Sequence, residues 1–363
     1  MKNVFGNNLT VTLYGESHGS AVGAVLDGLC PGIPVDTDYI RSRLALRRPF
    51  GQISTARAEQ DAFEIDSGVF DGKTTGTSLC IRIPNCDARP AAYDDMSHLA
   101  RPSHADYTGF VKYRGFADPR GGGHFSGRIT AALVAAGAIA QTALKRKGIT
   151  LGTHISRCAG IDDRPFQNPE KDVAELEHKE FAVLDEAAAE AMKAAILAAA
   201  EAGDSVGGIL ETIVLGVPAG AGEPWFDTVE GVLSHSLFSI PAVKGVEFGD
   251  GFALADLRGS QANDPFRMQE GRIVTQTNRN GGINGGITNG MPLIFRCVLK
   301  PTPSISLTQQ TVDYRADENA EISVSGRHDP CIVHRARAVA DAVTALTVYD
   351  LLETRFGTDW FIG

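Results

Sequence analysis

Two loops of the chain each place a histidine beside hydroxyl or charged side chains. Residues 15–19 read Gly-Glu-Ser-His-Gly, and residues 101–106 read Arg-Pro-Ser-His-Ala-Asp. An imidazole has a reference pKa of about 6.5, so His18 and His104 are suited to proton transfer near neutral pH. A solvated turn in the first loop and a surface ion pair in the second are the simpler interpretations.

The first loop also matches G-x-S-x-G, the nucleophile elbow of α/β-hydrolases, in which Ser17 would be the nucleophile. An elbow has several strands before it and a helix directly after it. This loop begins at residue 15 and continues into residues 21–26, which have a strand pattern. The context therefore disfavours a serine hydrolase.

Glycine and arginine meet in residues 120–128, which read Arg-Gly-Gly-Gly-His-Phe-Ser-Gly-Arg directly before a long apolar segment. N–H groups at the start of a helix bind anions together with arginine, and three consecutive glycines are hard to explain as a simple turn. This cluster predicts an anion site. A further glycine cluster, 281–286, lacks the dinucleotide spacing and the Lys-Ser/Thr of a P-loop. It is either a floor under a planar ligand or a pair of turns.

Residues 326–335 place His328, Cys331 and His334 at a spacing that suggests zinc. Structural zinc usually has four protein ligands. No second Cys/His cluster lies nearby to supply the others, so we predict no metal site.

Composition limits the classes of partner. The 363 residues carry a formal charge of −10, and the pI is near 5.4, which disfavours nucleic acid as a partner. Arginines nevertheless gather in the glycine-rich loops, which indicates a small ligand that carries phosphate and carboxylates. We find no signal-peptide pattern and no run of about 20 apolar residues. We therefore expect a cytoplasmic protein without a membrane segment, whose six cysteines are reduced.

Hydrophobic patterns predict the elements that hold these loops. Strands are predicted at 9–14, 22–26, 78–83, 209–217, 243–248 and 292–299, and helices at 36–48, 129–147, 185–202 and 335–356. The helix from residue 129 is apolar on nearly all sides, so we expect it between layers. Strands and helices without strict alternation favour an α+β layered sandwich. We find no linker and expect one domain over 1–363, with 158–179 as a surface excursion.

Taken in order, these clusters resemble the chorismate synthase family over nearly the whole chain. The segments that carry the resemblance are 15–19, 47–49, 101–106, 121–128, 203–205, 217–220, 243–252, 258–260, 281–286, 300–304 and 326–331. The resemblance implies a lyase that removes phosphate from carbon 3 and hydrogen from carbon 6 of 5-enolpyruvylshikimate-3-phosphate. The product is chorismate, and the step is the last of the shikimate pathway. A non-catalytic flavin- or anion-binding homologue is the alternative.

The family fold implied by this resemblance is a β-α-β sandwich with central helices between antiparallel sheets, assembled as a homotetramer. Family members need reduced FMN, although the reaction has no net redox change. NADPH is the implied reductant, used by the chain itself or by a separate flavin reductase.

The resemblance also assigns roles to single residues. His18, His104 and Asp329 match the catalytic residues. The arginines that match substrate-binding positions are Arg47, Arg48, Arg101, Arg128 and Arg327. The residues that match FMN contacts are His124, Phe125, Ser126, Pro241, Ala242, Gly285, Lys300, Pro301, Thr302, Pro303, Ser304 and Arg327.

Three positions depart from the family pattern. Phe125 is bulky for a backbone site at a flavin. Residues 50–53 read Phe-Gly-Gln-Ile where the family often has glycine and a further arginine, so that arginine is either lost or replaced by Arg57. Ser103 stands beside His104, where glycine is common. These departures bear on cofactor binding more than on the reaction.

Overall fold

The chain folds into antiparallel sheets and helices, and the structure, a computed structural model, describes residues 2–54, 60–86, 98–324 and 329–362. The strands are β1 (Val4–Phe5), β2 (Thr10–Gly15), β3 (Ala21–Asp27), β4 (Glu64–Ser67), β5 (Val69–Phe70), β6 (Lys73–Thr74), β7 (Leu79–Pro84), β8 (Thr150–Cys158), β9 (Ile161–Asp162), β10 (Gly208–Leu215), β11 (Val243–Phe248), β12 (Phe266–Gln269), β13 (Arg272–Thr275), β14 (Ile283–Asn284), β15 (Ile287–Thr288), β16 (Leu293–Leu299), β17 (Gln309–Asp313) and β18 (Glu318–Ile322). The helices are α1 (Thr37–Arg47), α2 (Asp106–Tyr113), α3 (Thr130–Arg146), α4 (Pro169–Leu176), α5 (Glu186–Glu201), α6 (Val229–Leu237), α7 (Gly259–Ala262) and α8 (Val333–Phe356).

Two five-stranded sheets form the outer layers of the described part of the chain. The first has the order β1-β2-β3-β7-β4 and the second the order β11-β16-β10-β8-β9, and neighbouring strands in both are antiparallel. In the first sheet, Ala24 lies opposite Leu13 on one side and Ile81 on the other. Every second residue of β7 is buried, which gives that sheet one face for the helices.

The helices α3 and α8 pack against each other between the sheets. In α3 every residue from 130 to 144 except Thr142 is buried, and in α8 every residue from 333 to 353 except Arg335. At their contact, a Cβ on Gly137 would lie 2.4 Å from the Cβ of Ala342, so glycine is what lets the backbones approach. Helix α3 also contacts β3 and β7, and α8 contacts β8 and β10. The architecture is the predicted β-α-β sandwich.

One helical stretch, Gly127–Arg146, is long and apolar enough by composition to cross a membrane, and 89% of its 18-residue apolar window is buried inside the fold. Arg128, Lys145 and Arg146 lie within this stretch, so it is not an uninterrupted run of about 20 apolar residues. A helix that packs against a sheet on one side and against another helix on the other has no face in water. Such a helix is apolar on all sides, as a membrane-spanning helix is.

The predicted strands and helices are all present, with ends that differ by a few residues at most. The predicted surface excursion at 158–179 is wrong in part. This segment contains α4, in which Asn168 caps the first turn and Pro169 occupies a first-turn position. Val173 of α4 packs with Ile213 and Leu215, so the helix covers the outer face of the second sheet.

Beneath that cover, His154 of β8 is fully buried between two carboxylates. Its Nδ1 lies 2.7 Å from Oδ2 of Asp163, and its Nε2 lies 3.0 Å from Oε2 of Glu211. Both nitrogens must donate, so the ring is an imidazolium. Burial alone would lower the pKa of His154, but the bonds to the two carboxylates outweigh it and raise the pKa. The pKa of His154 is therefore higher in the folded protein than the value of about 6.5 expected in the unfolded chain, so its protonated form stabilises the fold. This stabilisation is complete below the unfolded pKa and is lost as the pH rises through the folded pKa.

Replacing His154 by glutamine should lower the free energy of unfolding by about 1.5–3 kcal/mol near pH 6, the usual cost of losing hydrogen bonds to charged groups. The cost stays moderate because Asp163 also accepts from the backbone N–H groups of Leu184 and Asp185. Urea unfolding from about pH 6 to 9 should show the difference from wild type shrinking as pH rises. The exposed His178→Gln is the control and should change stability by less than about 0.5 kcal/mol. A difference that grows with pH would contradict the imidazolium assignment.

Candidate active site

A cavity of about 1090 Å³ lies where α3 and α8 begin, so the positive ends of both helix dipoles are directed toward it. It brings together most of the predicted site residues from distant parts of the chain. Those that line it are His18, Arg47, Arg48, Arg101, His104, His124, Phe125, Ser126, Arg128, Pro241, Ala242, Lys300, Thr302, Pro303, Ser304 and Asp329.

Three predicted site residues are not part of this lining. Pro301 lies between two residues that line the cavity. Gly285 is exposed in the turn between β14 and β15, where its φ is 64°, and its flavin contact stays a prediction. Arg327 lies outside the described residues, as do Arg57 and His328.

The triple glycine passes between the two predicted catalytic histidines. Gly121, Gly122 and Gly123 have φ values of 61°, 115° and 53°, all in the region that favours glycine. A Cβ on Gly121 would lie 2.2 Å from Cε1 of His18, and a Cβ on Gly122 would lie 3.7 Å from Cε1 of His104. The glycines are therefore needed for the close approach of the backbone to two imidazoles, which is more than a simple turn requires.

Hydrogen bonds fasten the His18 loop to the triple-glycine segment. The backbone N–H of Ser17 donates to the carbonyl of Gly123 at 3.1 Å, and the Ser17 hydroxyl donates to the carbonyl of Arg120 at 3.3 Å. The same hydroxyl lies 3.1 Å from Nδ1 of His18, so Nδ1 can donate to it. His124 Nδ1 lies 2.7 Å from the carbonyl oxygen of Gly15. Ser17 therefore positions the loop, which is a different role from that of a hydrolase nucleophile.

Asn85, which directly follows β7, was missed by sequence reasoning and connects this loop to Arg128. Its Nδ2 donates to the carbonyls of Glu16 and Gly19, both at 2.9 Å, and its Oδ1 accepts from Nε of Arg128 at 2.9 Å. No local pattern marked this residue, because its partners lie far away in the sequence.

Asp61 was also missed, and it lies between two of the predicted substrate arginines. Its side chain is 1% exposed and accepts from Arg47 at 3.1 Å and from Arg128. Burial would raise the pKa of Asp61, but the two positive charges and their hydrogen bonds outweigh it and lower the pKa. Asp61 is therefore a carboxylate that holds both guanidinium groups in the cavity wall.

His104 belongs to a cluster with Arg101 and Asp106. Oδ1 of Asp106 lies 2.7 Å from Nδ1 of His104 and also 2.7 Å from Nη2 of Arg101. Next to His104, Ser103 has a φ of 60°, which explains why glycine suits this position. Nζ of Lys300 donates to the carbonyl of Ser103, which connects the predicted FMN-contact segment 300–304 to this loop. Burial, with Lys244 nearby, lowers the pKa of Lys300.

Asp329 is held by Arg335 of α8. Nη1 of Arg335 donates to Asp329, and its Nε donates to the carbonyl of Arg47 at 2.8 Å. In the same segment His334 lies 2.7 Å from the hydroxyl of Ser54, and its ring packs edge-on against Phe50. The described residues contain no group of three or more ligands that could hold a metal ion.

The bulky Phe125 is accommodated by α2. A Cβ on Gly109 would lie 2.9 Å from the Phe125 ring, and the ring of Tyr113 lies 6.0 Å away in an edge-on arrangement. The ring therefore packs on α2 at the cavity wall.

The charge of the cavity differs from that of the whole chain. Among its described lining residues, eight are lysine or arginine and four are carboxylates, whereas the chain carries a formal charge of −10. The basic residues are Arg47, Arg48, Arg101, Arg128, Lys244, Lys300, Arg315 and Arg335. This excess and the two helix N-termini make the cavity suited to a ligand with several negative charges.

Comparisons with known proteins agree with this geometry. A family model described as chorismate synthase matches residues 9–352. The chain is 45% identical over 350 residues to the chorismate synthase of Thermococcus kodakarensis, covering 96% of this chain and 97% of that protein. It is 46% identical over 349 residues to that of Methanosarcina barkeri, covering 96% and 95%. A solved structure described as "Crystal Structure of Chorismate Synthase" is similar with a TM-score of 0.77 and 30% identity, covering 98% of this chain and 94% of that one.

Proposed function

Since the chain belongs to the chorismate synthase family, we propose that it converts 5-enolpyruvylshikimate-3-phosphate to chorismate. The reaction is an anti-1,4-elimination in which phosphate leaves carbon 3 and a hydrogen leaves carbon 6. The observation that carries the proposal is the basic cavity in which Gly121 and Gly122 separate His18 from His104. Nothing in the described residues favours the non-catalytic alternative.

The substrate carries a phosphate and two carboxylate groups, and arginine is the side chain best suited to hold such anions. We assign this role to Arg47, Arg48, Arg101 and Arg128, which line the cavity, and to Arg327 by the family resemblance. Arg47 and Arg128 are fixed by Asp61, so their direction is set before the substrate arrives. Arg48 donates to the carbonyl of Gln60.

Three side chains are assigned to proton handling and charge stabilisation. His18, beside the triple glycine, stabilises the departing phosphate. His104 acts from the opposite side of that loop, and Asp329 assists removal of the proton from carbon 6. A positioned acid–base group contributes about 10²–10⁴-fold to a rate, so the assignments predict large losses on substitution.

The residues at one wall of the cavity fit FMN. The Thr302 hydroxyl is buried there without a hydrogen-bond partner, which is unusual for a buried polar atom and leaves it available to a ligand. Ser126, Ser304, Lys300 and the Pro241–Ala242 backbone line the same cavity, and the triple glycine leaves space that side chains would fill. Reduced FMN would lend electron density to the substrate as phosphate leaves and then recover it.

We also propose the domain organisation, the assembly and the location of the protein. A single domain is supported by a hydrophobic cluster that runs from the first sheet through α3 and α8 to the second sheet. A homotetramer is supported by exposed apolar side chains at Trp225, Phe226, Phe252, Phe266, Met268 and Ile273. A cytoplasmic location fits six cysteines that are all free.

The test is an anaerobic turnover assay. The purified protein, reduced FMN and 5-enolpyruvylshikimate-3-phosphate should yield phosphate and chorismate in equal amounts, and no product under these conditions would refute the proposal. A second arm with oxidised FMN and NADPH as the only reductant measures whether the chain reduces its own flavin or needs a separate flavin reductase.

A further inference from the structure

We propose that Asp106 is a positioning residue that fixes the tautomer and the orientation of the His104 imidazole. This inference rests on the proposed function, because it needs His104 to handle a proton. The family resemblance assigned no role to Asp106, and the sequence suggested only a surface ion pair in this loop.

The contacts of Asp106 determine which His104 nitrogen carries the hydrogen. Two groups lie within hydrogen-bond distance of Nδ1 of His104: Oδ1 of Asp106 at 2.7 Å and Nη2 of Arg101 at 3.1 Å. An ionised carboxylate only accepts hydrogen bonds and a guanidinium group only donates them. Nη2 already donates to Oδ1 of Asp106 at 2.7 Å, so we assign the shorter contact as the hydrogen bond, with Nδ1 as its donor. The other carboxylate oxygen, Oδ2, accepts from Nε of Arg101 at 2.8 Å and from the Arg101 backbone N–H at 3.0 Å. The carboxylate is therefore fixed at both oxygens and cannot rotate away from the imidazole.

The opposite edge of the imidazole faces the cavity. A Cβ on Gly122 would lie 3.7 Å from Cε1 and 3.8 Å from Nε2 of His104, so that edge lies against the triple glycine. With Nδ1 occupied by Asp106, Nε2 is the nitrogen that gains or loses a proton at the cavity wall. The same atom can then act on the substrate in each turnover.

Asp106 keeps its charge throughout the range in which the enzyme is assayed. Burial works to raise the pKa of Asp106, but the hydrogen bonds from Arg101 and His104 and their charges hold it well below its usual range. Arg101, in turn, uses Nε and Nη2 on this carboxylate. It therefore meets a substrate only with the remaining edge of its guanidinium group.

The cavity offers a matched control for this cluster. Asp118 accepts from Nε and Nη2 of Arg120 at 2.8 and 2.7 Å, as Asp106 does from Arg101. The contacts of His104 Nδ1 are instead with Asp106 and Arg101. Asp118→Asn therefore disrupts a carboxylate–arginine pair of the same geometry without touching the imidazole.

The test is solid-state ¹⁵N NMR of the full-length protein with ¹⁵N-labelled histidine, with His104→Gln used to assign the signals. At alkaline pH, where an imidazole is neutral, wild-type His104 should be protonated on Nδ1 alone. Asp106→Ala should give a mixture of tautomers and lower kcat about 10- to 100-fold, part of what a positioned acid–base group contributes. Asp118→Asn should leave the His104 signals unchanged.

Two results would overturn the proposal: wild-type His104 protonated on Nε2, or unchanged His104 signals in Asp106→Ala. The wild-type spectrum needs no variant, so it decides the tautomer even if Asp106→Ala does not fold. The spectrum is also independent of turnover. A wild-type protein that makes no chorismate but shows the Nδ1 tautomer would refute the proposed function and leave the role of Asp106 in orienting His104 intact.

Discussion

Replacing Gly121 by alanine should lower kcat for chorismate formation at least about 100-fold while the protein stays folded. The new Cβ would lie 2.2 Å from Cε1 and 2.5 Å from Nδ1 of His18 and 3.2 Å from the Ser17 hydroxyl, so the imidazole must move. A misplacement of about 1 Å in a catalytic arrangement costs about 10²-fold in rate. The measurement is the anaerobic assay with reduced FMN, paired with thermal unfolding of the same sample.

The control for this substitution is Gly72→Ala, at the turn between β5 and β6. Its φ of 69° is close to the 61° of Gly121, and nothing lies within 4 Å of the added Cβ. Both variants therefore carry the same left-handed strain, about 1 kcal/mol, but only one displaces His18. Gly72→Ala should keep wild-type kcat. If the two variants had equal kcat, the position of His18 would not limit the reaction.

The sequence predicted the layers of the fold because their signals are local. The apolar run that becomes α3 ends in basic residues and Gly148, which are direct signs of a helix end. Alternating burial along β7 follows from the period of two in a strand. The start of α4 could also have been predicted, since Asn168 and Pro169 are typical of a helix N-terminus. The many charged residues around them favoured a loop instead.

The candidate site was predicted only where its residues form short motifs. The loops around His18, His104 and the triple glycine could be recognised singly, and the resemblance put them in one site. Asp61 and Asn85 could not be found in this way, because their partner Arg128 lies 67 and 43 residues further along the chain. Asn85 follows β7 and Asp61 precedes β4, and these two strands are neighbours in the first sheet. No local pattern contains that pairing.

Replacing Asp61 by asparagine should lower the free energy of unfolding by about 3–5 kcal/mol, the usual cost of removing one partner of a buried ion pair. The side chains of Arg47 and Arg128 are only 7% and 6% exposed, so water cannot replace the lost charge. The pKa of Asp61 is lower in the folded protein than in the unfolded chain, and this difference sets the pH dependence. Ionised Asp61 contributes its full stabilisation above the unfolded pKa and loses it as the pH falls through the folded pKa. Urea unfolding should therefore show a constant difference from wild type near neutral pH that shrinks only below about pH 4.

The exposed pair between Arg41 and Asp38 provides the control for Asp61, because Asp38→Asn should change stability by less than about 0.5 kcal/mol.

Replacing Asp61 by asparagine also leaves two arginines of the proposed substrate site, Arg47 and Arg128, with less negative charge beside them. Added inorganic phosphate should therefore stabilise Asp61→Asn more than wild type, since a ligand that binds only the folded state raises its stability. An Asp61→Asn protein as stable as wild type would show that Asp61 does not hold these arginines. Equal stabilisation of both proteins by phosphate would mean that Arg47 and Arg128 do not bind the anion.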